Sequence, residues 1–147
     1  MAMSDRDTII KEIDAIVDTY HSAEHPLPVL IELRRNLAVF SYRLAAHVKE
    51  VYGKAGLTYA TRKFRIAEHI VGARNIDAKA PISFLETSAL KIPAVMEAQK
   101  AEIEAEAERE GLIARIRAIN NVLASLQQEI ADLRAEKNNP SYSNEGQ

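Results

Sequence analysis

Leu112, Ile116, Ile119, Leu123, Leu126, Ile130 and Leu133 recur at steps of four and three without a break. This heptad spacing lays one apolar stripe along a helix, and the stripe needs a second helix to cover it. The run sits in a stretch with no proline between Pro93 and Pro140. The chain around it must therefore be a bundle or a coiled coil. Five glycines, five prolines and no tryptophan in 147 residues agree with that reading, because helix interiors disfavour Gly and Pro. The expected fold is all-α, a helical hairpin plus a long C-terminal helix with coiled-coil or bundle packing. Two fates are open to the stripe 112–133: a seam between copies of the chain, making a homo-oligomer, or a seam filled within one chain by the apolar residues of 30–51.

The rest of the chain supplies shorter helices. Ile9, Ile10, Ile13, Ile16, Val17 and Tyr20 form one apolar face of a helix over 5–20, which Ser4 or Asp5 can cap. His21-Ser-Ala-Glu-His-Pro-Leu-Pro28 interrupts the pattern. His21, Glu24 and His25 invite a metal reading, but Pro26 disfavours helical geometry at His25 and no third strong ligand is near, so a linker is expected. Leu30, Leu33, Leu37, Phe40, Leu44 and Val51 define a second helix over 28–52, with His47 in one heptad slot. Gly53-Lys-Ala-Gly56 reads as a turn, and Thr58 as the cap of a third helix over 59–72. These two helices make the expected hairpin, 28–72. A loop over 72–83 follows, then a short helix over 84–91 opened by a Ser83–Glu86 capping box.

Glu102, Glu104, Glu106, Glu108 and Glu110 alternate as in a strand, but the Ala and Glu content favours helix. Gly111 is the soft spot of that helix, costing about 1 kcal/mol against Ala. The organisation expected is one elongated helical domain over 1–137, with a C-terminal helical region 84–137 and a polar, disordered tail 138–147.

Charge is segregated along the chain. Residues 1–33 carry two basic and seven acidic groups, net −5; residues 34–79 carry ten and three, net +7; residues 80–147 carry seven and eleven, net −4. A focused positive region points to an anionic partner. The competing reading pairs the basic middle with the acidic flanks, inside one fold or between subunits. Within the basic region Tyr42, Tyr52, Tyr59 and Phe64 are interleaved with Arg43, Lys49, Lys54, Arg62, Lys63 and Arg65. Cations that follow phosphates and aromatic faces that stack on bases are what single-stranded nucleic acid requires. The residues expected to bind it are Arg43, Lys49, Lys54, Tyr59, Arg62, Lys63 and Arg65, with Phe64 assigned to the core.

Catalytic signatures are missing. No Gly-rich phosphate loop, His-Glu-x-x-His, Gly-x-Ser-x-Gly or cysteine occurs. A non-enzymatic protein without cofactor or metal is expected. The absence of cysteine suits a reducing cytoplasm. No run of about eighteen apolar residues exists, and the opening Met-Ala-Met-Ser-Asp lacks the regions of a signal peptide.

Lys63-Phe-Arg-Ile66 resembles the Lys-x-Arg-Leu segment with which phage recombination mediators of the UvsY type contact single-stranded DNA. The preceding Tyr42-Arg-Leu44 and the terminal Leu123–Lys137 segment are also similar to that group, and the order of elements over residues 36–136 is shared. The resemblance implies a ring-like homo-oligomer that binds single-stranded DNA, displaces a single-strand-binding protein and helps load a RecA-like recombinase in a bacterial or phage-infected cell. The alternative is a structural or adaptor helical subunit, such as a phage assembly component.

Overall fold

The structure, a computed structural model, describes residues 2–139. Every regular element among them is a helix: α1 (Asp5–Ser22), α2 (Leu27–Ala45), α3 (Val48–Ile76), α4 (Ile82–Ala89) and α5 (Pro93–Asn138). The all-α expectation and the long C-terminal helix are what the chain forms. Residues 140–147, most of the expected tail, lie outside the described residues.

Within the span expected as one domain, the chain packs as two compact units. Unit 1 comprises residues 1–47 and those from Ile113 onward; unit 2 comprises Val48–Leu112. The close helix pairs are α1 with α2 and α3 with α4, so the pairing expected between helices 28–52 and 59–72 is replaced by these two.

Unit 1 buries the larger side chains. Ile9 and Ile13 of α1, Leu30, Leu33, Leu37 and Leu44 of α2, and Ile119, Leu126 and Ile130 of α5 are buried. Ser4 caps α1 as its spacing predicts, its Oγ accepting the Asp7 N–H at 3.1 Å. Polar contacts tie α5 to its neighbours: the Tyr20 hydroxyl donates to Glu129 at 2.8 Å and Arg115 Nη1 donates to Asp14 at 2.6 Å. The α5 stripe is thus covered inside one chain. Leu126 is fully buried, Ile119 and Ile130 nearly so, and Ile116, Leu123 and Leu133 are half-buried in the same unit. Leu112, the seventh member, is buried in unit 2. Of the two fates open to this stripe, the intrachain one is realised.

The expected turn at 53–56 is a correction. α3 runs unbroken through Gly53 and Gly56, neither of which has a positive φ, and the interruption lies at Ala46–His47. Two interior glycines cost a helix roughly 1 kcal/mol each, but Val51 and Ala55 are buried on one face across that stretch and hold the helix. Thr58 does not cap; its hydroxyl donates back to the Lys54 and Ala55 carbonyls at 3.0 and 2.9 Å. At the real break, the Ala46 and His47 N–H groups both donate to the α2 end, His47 to the Leu44 carbonyl at 3.0 Å. The second correction is at α4, which starts after Pro81 without a side-chain cap and carries Ser83 in its first turn.

Candidate functional site

α3 positions most of the predicted binding residues, and it does so on three different faces. Its inner face, Val51, Ala55, Thr58, Arg62, Ile66, His69 and Ala73, is buried or half-buried in unit 2. Steps of three and four place these on one side of the helix. His69 Nε2 lies 3.1 Å from the Ser88 hydroxyl of α4. Arg62 is the cation of this inner face. It engages Glu102 of α5 through Nε, with Nη2 a further 3.5 Å from Glu102 Oε1. Both side chains are mostly shielded from solvent, at 23 % and 15 % exposure, so Arg62 serves packing in unit 2.

Lys54 and Arg65 lie on one flank. Lys54 Nζ pairs with Glu108 of α5 at 3.1 Å and Arg65 Nη1 with Glu68 at 3.1 Å. Both pairs are solvated, a setting in which an ion pair is worth only about 0–1 kcal/mol. Arg43 belongs to unit 1. Its guanidinium lies over the Phe40 ring at 5.5 Å and 3.7 Å from Asp5, which also meets His47 at 3.2 Å. The structure does not bring Arg43 together with the α3 residues in one unit.

The other flank is the coherent one. Lys49, Tyr52, Gly56, Tyr59 and Lys63 follow one another at steps of three, four, three and four, and all five are exposed. This is a single Lys-Tyr-Gly-Tyr-Lys stripe along α3. Tyr52 is 47 % and Tyr59 49 % exposed. Arg109 of α5 lies over the Tyr52 ring at 5.5 Å, and Arg62 and Lys63 lie over the Tyr59 ring at 5.6 and 5.7 Å. Each ring therefore has cations at its edge or face and surface left for a ligand. Tyr52 and Gly56 complete the stripe but are absent from the predicted set. Their spacing carries the signal, which becomes readable once 53–56 is helix.

Exposed aromatics are a property of the whole chain. Among the described residues, Tyr42, Tyr52, Tyr59, Phe64 and Phe84 are exposed, and Tyr20 and Phe40 are half-buried. Phe64, expected in the core, is 63 % exposed. It points away from the inner face, since it stands on the side of α3 opposite Ala55 and Arg62.

Charge segregation along the sequence does not survive folding. Unit 2 holds ten basic and ten acidic side chains, because the acidic first half of α5 joins the basic α3. Among the described residues no group of three His, Asp or Glu is arranged to hold a metal ion, and no helix is long and apolar enough to cross a membrane. His25 Nε2 sits 2.7 Å from the Thr19 carbonyl, and His21 packs its ring 5.1 Å from that of Tyr20. No known protein family, curated protein or solved structure matches the chain.

Proposed function

We propose that this chain binds single-stranded DNA along the Lys49–Tyr52–Gly56–Tyr59–Lys63 flank of α3 and acts, without catalysis of its own, as a recombination mediator. The observation that carries the binding is the stripe itself: two half-exposed tyrosine faces bracketed by two lysines on one rigid helix. Bases of any sequence stack on such faces while the lysines meet phosphates. Tyr52 and Tyr59 are seven residues apart, about 10 Å along the axis, which is roughly three nucleotide spacings at about 3.4 Å. The mediator role, with a RecA-like recombinase and a single-strand-binding protein as partners in a bacterial or phage-infected cytoplasm, rests on the resemblance of Lys63-Phe-Arg-Ile66 to the UvsY-type segment.

Fluorescent oligo-dT titrated at 50 and 200 mM salt tests the binding. Affinity should fall steeply with salt, by a log–log slope of about 0.7 per phosphate neutralised. Tyr52→Ala and Tyr59→Ala should each weaken binding on the order of tenfold, since stacking contributes about 1–3 kcal/mol per base. Lys49→Ala with Lys63→Ala should flatten the salt slope, and Arg65→Ala on the opposite flank should do less. Unchanged affinity in the four-fold stripe variant would remove this site.

A second reading, a structural or adaptor helical subunit, is favoured by one specific observation. Lys54, Arg62, Arg65 and Arg109 all have carboxylate partners inside unit 2, whose charges balance. That reading expects no affinity for the oligonucleotide even at 50 mM salt.

A further inference from the structure

The outward side of α3 has no role in either unit. Gly53, Leu57, Ala60, Phe64, Ala67 and Val71 recur at steps of four, three, four, three and four, and every one is exposed. Leu57 is 68 %, Phe64 63 % and Val71 61 % exposed. This stripe is more apolar than the inner face of the same helix, which contains Arg62 and His69. A helix apolar on two opposite sides has two helix neighbours, and here only one side is covered.

The pattern along the stripe specifies what covers the other side. Large and small residues alternate: Gly53, Leu57, Ala60, Phe64, Ala67, Val71. Laid antiparallel on a second copy of itself, with the two-fold axis passing at the level of residue 62, the stripe sets each large side chain opposite a small one. Leu57 faces Ala67, Phe64 faces Ala60 and Val71 faces Gly53, each pair occurring twice by symmetry. Such layers interdigitate without voids and let the helix axes approach to about 8 Å. A parallel, in-register pair would instead stack Phe64 on Phe64 and leave gaps at the Ala and Gly layers.

Charge agrees with the antiparallel register. Bordering the seam, Lys54 then meets Glu68 across it, twice by symmetry, while Thr61 meets Thr61. In the single chain Lys54 and Glu68 hold only solvated pairs, which can be shared or exchanged. The one repulsive meeting is Lys63 with Lys63, beside the axis. Parallel helices would oppose Lys49 to Lys54 but also bring Lys63 to Glu68 in both copies, so the alternation of large and small side chains is what selects the antiparallel arrangement.

We propose that the protein forms a two-fold symmetric homodimer through the Gly53–Val71 face of α3, antiparallel helix to helix. The stripe at 112–133 takes no part, since it is covered within each chain. Self-association of this kind does not depend on the proposed DNA binding, but it has a consequence for it. The two Lys63 side chains converge beside the axis, so the Lys/Tyr stripes of the two copies meet there, and an anion bound between them would relieve their repulsion.

Light scattering without nucleic acid tests the dimer. The wild-type chain should have twice its 16.4 kDa mass. Phe64→Asp should reduce it to 16.4 kDa with an unchanged circular dichroism spectrum, because Phe64 is 63 % exposed in the single chain. Lys54→Glu should weaken the dimer at least tenfold, and Lys54→Glu combined with Glu68→Lys should restore it. With Thr61→Cys, the only cysteine in the chain, a short bis-maleimide should join two copies; in a parallel pair the two thiols lie on opposite sides of the seam and do not react together. A monomeric wild type, an oligomer indifferent to Phe64→Asp, or failure of the charge swap to rescue would each overturn the proposal.

Discussion

Replacing Leu126 by Ala tests whether the heptad stripe of α5 is filled within one chain. Leu126 has no exposed surface and lies in unit 1 with the buried residues of α1 and α2. Truncation removes most of a fully buried aliphatic side chain and leaves a cavity, a change that costs about 2–5 kcal/mol. Taking about 3 kcal/mol and a urea dependence of about 1.5 kcal/mol/M, the midpoint of unit 1 should fall by about 2 M. Val39→Ala is the comparison. Val39 lies on α2 and is 53 % exposed, and truncating it should move the midpoint by less than about 0.5 kcal/mol equivalent. Urea unfolding followed by hydrogen exchange reads the two units separately, through amides of α1 and α2 against those of α3 and α4. The intrachain seam fails if Leu126→Ala shifts the α1 and α2 amides no more than Val39→Ala does. It fails equally if protection of those amides in the wild type rises with protein concentration, the mark of a seam completed by another molecule.

Two further predictions concern single residues. Burial first, and then the hydrogen bond and charge of Glu129, raise the Tyr20 phenol above its ordinary range near 10. The folded state therefore holds the proton more tightly than the unfolded chain. The resulting stability is complete below about pH 10 and is lost as pH rises through the folded-state value; Tyr20→Phe should remove that alkaline decline in thermal melts of unit 1. Gly111 stands inside α5 with open space where a Cβ would go and no positive φ. Gly111→Ala should accordingly raise stability by about 1 kcal/mol, and a loss of stability in a denaturant titration would contradict an uninterrupted helix at that point.

Periodicity made the helices and the seams legible but left their partners open. The stripe 112–133 is evident from spacing alone, yet heptads do not say which helix covers them. Only the placement of Ile9, Leu30 and Leu37 in the same unit resolves that. Charge was misleading for a related reason. Arg62 with Glu102 and Lys54 with Glu108 are separated by 40 and 54 residues, so a count taken along the chain registers two opposed blocks where folding makes a balanced unit. The turn assigned to Gly53–Gly56 had the largest effect. Glycine is a reasonable stop signal, but here two glycines lie inside a helix held by Val51 and Ala55. Cutting the helix there separates Tyr52 from Tyr59 and Gly53 from Leu57. Both the Lys/Tyr stripe and the outer apolar stripe of α3 then become invisible, and Phe64 looks like core for want of another place. The predicted Lys49, Tyr59 and Lys63 do fall on one flank, whereas Arg62 turns inward and Arg43 belongs to the other unit.

The division of α5 between the units gives the chain an order of assembly. Unit 2 is contiguous, Val48–Leu112, so all of it is synthesised, and emerges from the ribosome, ahead of the residues that complete unit 1. α1 and α2 emerge first yet must wait for Ile119, Leu126 and Ile130 to bury Ile9, Leu30 and Leu37. During that interval the early hairpin exposes apolar surface and depends on rapid completion of synthesis or on a chaperone. Early folding of unit 2 shortens the wait in another sense. It replaces a long flexible loop between the two parts of unit 1 with an ordered insert, lowering the entropy lost when they meet. Truncation before Ile119 should therefore leave a folded Val48–Leu112 joined to a disordered N-terminal segment, whereas destabilising α3 should slow the folding of a core to which it contributes no residue.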